Sequence, residues 1–197
     1  MDRQRRDLKT LVRDVEWALA NNLEARELVE MLKKMVAQAR AGSPESLFGK
    51  LKIAELVVTD SPWKAAVLAR SVVTECRDGR AWAVLGLAHS MLGNFRAAVK
   101  AYRRALLLAP GNPWIMHNLG HLLDVALARP FDGLKYLDAA RQALPTEPEI
   151  ISSYAHALLR VGRRAEAHEM LRRGLEWDEA RVDRQLEAWL NLRVAPG

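Results

Sequence analysis

The 197-residue sequence predicts an all-α protein assembled from repeated helical hairpins, and three observations carry that prediction. Apolar residues recur at i, i+3 and i+4 in nearly every segment. Strand signals are missing, with no sustained β-branched alternation and no Asn-Gly or Asp-Gly turn between alternating runs. From residue 79 the chain repeats itself at intervals of 34 or 35 residues, a period that belongs to stacked supersecondary units.

The first helix sets Leu8, Leu11, Val12, Val15 and Leu19 on one stripe. Trp17 falls about 180° from that stripe on a helical wheel, so it either packs under a neighbouring helix or forms a second interface with a partner. A second helix, over roughly 23–40, turns Leu28, Met31, Leu32, Met35 and Ala39 inward, and "AGSP" ends it. This helical pair occupies 1–42. Ser43-Pro44 and Ser61-Pro62 each place a capping residue before a proline at the first helical position, which starts the two helices of a hairpin over 43–78.

The segment "WAVLGLAHSMLGNFRAAVKAYRRALLLAP" reads Trp82-x2-Leu85-Gly86-x2-His89, then Ala98-x3-Tyr102, then Pro110. It resembles the tetratricopeptide repeat, whose pattern is W-x2-L-G-x2-Y, A-x3-F, P. His89 and Tyr102 replace the tyrosine and phenylalanine with other flat rings. The resemblance implies three copies, over 79–112, 113–147 and 148–179, in a right-handed α-solenoid of antiparallel hairpins. Leu119-Gly120 lies 34 residues after Leu85-Gly86, whereas Pro145 lies 35 after Pro110, so the second copy holds one extra residue. Comparing Gly120 with Gly133 puts it between them. The expected place is the turn "ALARPFDG", because turns tolerate insertions better than helices.

The third copy keeps Tyr154-Ala155, Leu158, Ala167 and Leu171 but has Glu179 where the proline would stand. Small residues (Gly86, Gly120 and Ala155 on first helices, Ala98, Gly133 and Ala167 on second helices) let the helices of a hairpin approach closely. Large residues elsewhere bury a core that no single copy could bury alone. The 43–78 hairpin falls in register as a divergent copy, with Lys52 and Lys64 in place of the small residues. Residues 180–197 form a capping helix and tail, with Val182, Leu186, Trp189 and Leu190 on the face that covers the open end of the core.

In this family a fixed set of positions on each copy's first helix lines the inner groove. Carried over, the resemblance implies Arg80, Ala83, Leu87, Ser90 and Met91 from the first copy. Trp114, His117, His121, Asp124 and Val125 come from the second, and Glu149, Ser152, His156, Leu159 and Arg160 from the third. Some members clamp the terminal carboxylate of chaperone tails with lysine and asparagine where this chain has Ala83 and Leu87, so chaperone-tail recognition is not expected. His117, His121 and Asp124 share one face because i, i+4 and i+7 do. His-x3-His can hold a metal, but "HNLGH" lacks the glutamate of the HExxH hydrolases. The reading favours histidines solvated in the groove, hydrogen bonding to a partner's backbone and gaining charge at about pH 6.5.

Other classes find little support. Net charge is +6 with a pI near 9.8, which favours acidic partners including nucleic acid. The basic clusters ("RQRR" near the start, Lys33-Lys34, Lys100 with Arg103 and Arg104, "RVGRR" and Arg172-Arg173) fall mostly on outer faces or turns. No RNA-recognition signature accompanies them. Cys76 is the single cysteine, so no internal disulfide framework exists. No phosphate-cradling glycine loop, nucleophile elbow or cofactor motif is present. No apolar run reaches the ~18 residues a membrane span needs, and the basic start lacks the apolar core of a secretory signal. The expectation is a cytoplasmic, non-catalytic adaptor, scaffold or chaperone, similar to the bacterial adaptors of this family, that binds a peptide or helical segment of another protein. A basic nucleic-acid-associated repeat protein is the alternative, and a metal-binding sensor a lesser one.

Overall fold

The computed structural model describes residues 2–191, and side chains from residue 7. The "RQRR" side chains and residues 192–197 of the expected cap and tail lie outside the described residues. Every regular element among the described residues is helical, and the chain divides into two compact units. The first, through Leu108, holds α1 (Asp2–Ala20), α2 (Ala25–Gln38), α3 (Pro44–Val57), α4 (Pro62–Glu75), α5 (Gly79–Met91) and α6 (Phe95–Leu108). The second, from Ala109, holds α7 (Pro113–His121), a π-helical turn (Leu122–Ala126), α8 (Pro130–Ala143), α9 (Pro148–Arg160), α10 (Arg164–Gly174) and α11 (Glu179–Asn191).

Helix starts follow local chemistry. The Ser43 hydroxyl accepts from the Ser46 amide at 3.3 Å, and Pro44 opens α3. The Asp78 carboxylate takes the Arg80 and Ala81 amides at 2.7 and 3.2 Å, and Asn112 takes that of Ile115 at 3.1 Å ahead of Pro113. These bonds satisfy amides that the helix itself leaves unpaired. Ser61 differs from expectation: it precedes α4 without a side-chain cap, so Pro62 alone marks that start.

Within the first unit, Val15 and Ala18 of α1 pack with Leu28, Leu32 and Met35 of α2 and Ile53 of α3. Trp17, on the far side of α1, is 62% exposed, so of its two readings burial under a neighbour does not hold. A second cluster joins Ala54 and Val58 to Ala65, Ala69, Leu85, Ala88 and Ala101, where alanines bring α4, α5 and α6 close together. In α5–α6 the Tyr102 ring, fully buried, lies against Gly86, where an added Cβ would come within 2.8 Å of it. In the second unit Leu137, Tyr154, Leu158 and Leu171 form the core, and α11 adds Val182 and Leu186. Trp189 and Leu190 pack on the rim of that core.

The extra residue of the second copy is not in the turn. It sits in the helix itself, as the π-helical turn after His121. Leu127 N–H reaches back five residues to the Leu122 carbonyl at 3.1 Å. With its π turn the first helix of this hairpin has fourteen residues, against thirteen in α5 and in α9. A helix absorbs one residue in this way by widening a single turn. The helix crossing stays intact because Gly120 and Gly133 face each other backbone to backbone: a Cβ on Gly133 would meet the Gly120 carbonyl at 2.5 Å.

Candidate partner-binding surface

The groove positions divide between the units. Arg80 and Met91 are exposed at the two ends of α5, with Leu87 half-buried between them. In the second unit α7 packs beside α9 and brings the remaining positions together. Trp114 (40% exposed), His121, Val125 and Glu149 are open to solvent, and Ser152 is half-buried.

His117 and Asp124 correct the sequence reading. Both were expected in the groove, with His117 solvated, yet they are 3% and 1% exposed. His117 turns toward α9, where its Nε2 lies 2.9 Å from the Ser153 hydroxyl and its Nδ1 lies 3.2 Å from Asn118 Oδ1. With that amide oxygen as acceptor, Nδ1 donates, Nε2 accepts the Ser153 proton, and the serine oxygen is left to accept from His121 Nδ1 at 3.4 Å. The two imidazoles stack with centroids 5.9 Å apart, and Trp114 meets His117 edge-on at 6.0 Å. Burial holds the His117 imidazole below the ordinary histidine pKa, outweighing the carboxylates of Glu149 and Glu147. His121, open to solvent on one side, is lowered too by desolvation of its covered side, against the pull of Asp124.

Asp124 lies within the π turn and faces inward. Its Oδ2 accepts from His156 Nδ1 at 2.6 Å, and its Oδ1 pairs with Arg160 Nε at 3.4 Å. Arg160 Nη1 also donates to the Asp124 carbonyl at 2.7 Å, satisfying backbone in the widened turn. A buried carboxylate is tolerable only with such partners. The edge of His156 packs on Trp189 of α11, with centroids 5.1 Å apart, so the capping helix closes this side. His156 and Arg160 therefore serve the fold first, and only their edges face out. Among the described residues no three His, Cys, Asp or Glu side chains converge as metal ligands.

Sequence reasoning missed Ser153 and Trp189 as members of this cluster. Ser153 shares a face with His156 and Arg160 at i, i+3 and i+7, the spacing that had singled out His117, His121 and Asp124. Trp189 carried no such signal, since its part depends on where the capping helix docks.

The geometry defines a class, the α-solenoid of paired helices. Within it, the model of the tetratricopeptide repeat matches residues 79–112, so that segment carries one tetratricopeptide repeat. Over 99 residues it is 32% identical to protein FlbA of Caulobacter vibrioides (strain ATCC 19089 / CIP 103742 / CB 15). That match takes in 50% of this chain but only 16% of FlbA. Among solved structures, MamA 41-end from Desulfovibrio magneticus RS-1 superposes with a TM-score of 0.72 at 15% identity, over 86% of this chain and 93% of the other. Another MamA crystal structure gives 0.67 at 19% identity, over 82% and 92%. Identities this low establish the fold alone.

Proposed function

We propose that the protein is a non-catalytic interaction module, an adaptor, scaffold or chaperone that holds a segment of another protein against the face formed by α7 and α9. The observation that supports it is Trp114. This large ring stands 40% exposed, yet it is braced from below by His117, which Ser153 in turn fixes. An anchor held rigid before binding loses little freedom when a partner covers it. His121, Glu149 and Ser152 surround it with hydrogen-bonding groups, and Val125 adds apolar surface.

The test begins with affinity capture from the native host and mass spectrometry, followed by titration of the captured partner. Buried aromatic anchors cost about 2 kcal/mol or more on truncation, so Trp114→Ala with His121→Ala should weaken binding at least about tenfold without unfolding the protein. Arg103→Ala with Arg104→Ala, on the exposed side of α6, should change it little. If the arginine pair abolishes binding while the Trp114 and His121 pair is silent, the basic surface is the site. Steep salt dependence toward RNA or DNA would then favour the nucleic-acid reading.

A further inference from the structure

The first unit carries an apolar trough that has no part in the reading above. Helices α2 and α4 both pack on α3, and over α3 they leave a cavity of about 760 Å³. Ile53, Leu56 and Val57 of α3 form its floor, Val29 and Val36 of α2 one wall, and Trp63 and Val67 of α4 the other. Trp63 and Val67 are 58% and 62% exposed, apolar surface whose removal from water is favourable. On α2 the lining runs from Ala25 to Ala37, about 18 Å of helix at 1.5 Å per residue. A trough of that length suits a helix lying along it, anchored by side chains at i, i+3 or i+4, and i+7.

Charge selects the kind of helix. Arg26 and Lys33 rise from the α2 wall and Lys64 from the α4 wall. Against them stand Glu30 and, where α4 begins, Asp60. Glu30 is already engaged: Lys33 donates to it at 2.7 Å and, aided by Lys34 and Arg26, holds its carboxyl below the usual range. With Lys33 and Glu30 paired, Arg26 and Lys64 stand against Asp60 alone, a small positive excess over an apolar floor. The chain's own net charge of +6 works against a second copy filling the trough.

We propose that this trough docks an amphipathic helix of a partner protein, apolar along one stripe and flanked by glutamates or aspartates that meet Arg26 and Lys64. The probe is a labelled synthetic peptide of about 20 residues, some 30 Å as a helix, with leucines at i, i+3, i+4 and i+7 and glutamates beside them. A twin peptide carries lysines in place of the glutamates. Fluorescence anisotropy with the full chain should show the glutamate peptide binding at least about tenfold tighter. Val67→Glu should remove that binding, and Arg26→Glu with Lys64→Glu should reverse the preference, with helical circular dichroism unchanged in both. Trp114→Ala with His121→Ala should leave it intact, which separates this site from the α7–α9 face. Equal or better binding of the lysine peptide, or indifference to Val67→Glu, overturns the proposal. So does a wild-type dimer in sedimentation that Val67→Glu dissolves, since a second copy would then be the occupant.

Discussion

The hairpins α5–α6 and α7–α8 follow one repeat pattern yet solve two problems differently. At the crossing, α5–α6 sets a buried tyrosine ring against Gly86, whereas α7–α8 sets backbone against backbone at Gly120 and Gly133. Beyond the crossing, α5 runs on as ordinary helix through Ser90 to an exposed Met91. The first helix of the other hairpin widens into a π turn and buries Asp124 at the place corresponding to Ser90. Where the inserted residue widens the helix a carboxylate lies buried, and α9 answers it with His156 and Arg160. The apolar pattern fixes the packing in both hairpins. The polar residues decide whether a position stays open or joins the interior.

Asp124→Ala offers the strongest way to break this contrast. Removing it strips the carboxylate from His156 and from Arg160, both largely buried, and loss of one member of such a buried set costs about 3–5 kcal/mol. Ser90→Ala, at the corresponding place in the first hairpin, should stay within about 0.5 kcal/mol. Urea unfolding followed by circular dichroism compares them, and equal costs would mean that the ion pairs around the π turn contribute nothing net. A smaller difference is expected at the crossings. A methyl on Gly133 meets a carbonyl oxygen that cannot swing aside, whereas one on Gly86 meets a ring that can tilt slightly. Overpacking of this kind costs about 3 kcal/mol at the upper end, expected for Gly133→Ala, and about 1 kcal/mol at the lower, expected for Gly86→Ala. The reverse order would show that Tyr102 is the more rigidly held group.

The helices, the Ser43 cap and the repeat period were legible because each rests on local chemistry: apolar spacing, a serine before proline, glycine at a crossing. The place of the inserted residue was not. Preference for turns is a general tendency, and here the widened turn lies beside the Gly120–Gly133 contact and is bonded at the Asp124 carbonyl by Arg160, neither of which shows in the local sequence. The candidate surface was half legible. The repeat resemblance had put Trp114, His121 and Glu149 on it, and all three are exposed, whereas i, i+4 and i+7 spacing joined only His117, His121 and Asp124 on one face. Burial of His117 and Asp124 depended on neighbours 36 and 32 residues away, Ser153 and His156, and spacing within one helix carries no information about those.

Acid tests the contrast at its most delicate point. Imidazoles whose protons are disfavoured by burial sit in both hairpins: His89 in the first, helped by Arg70, and His117 and His121 in the second. A histidine in the unfolded chain titrates at about 6.5. As the pH falls through that value the unfolded chain takes up protons that the folded rings refuse, so stability declines until the folded rings titrate as well. The contribution is thus fully present above about pH 7 and lost on the acid side, before most carboxylates protonate. Glu149, Glu147 and Asp124 oppose the loss at the second hairpin, while the repulsion of His117 by His121, and of His121 by His156, adds to it. Replacing His117 and His121 together by glutamine should lower stability at neutral pH through the lost Ser153 bonds, yet flatten its decline with acid. His89→Gln should remove only its own share and leave the remaining slope. Unfolding midpoints measured from about pH 8 to about pH 5 decide it. If the double variant declines in parallel with the wild type, acid acts elsewhere, and the His117–Ser153–His121 chain does not resist protonation as its burial implies.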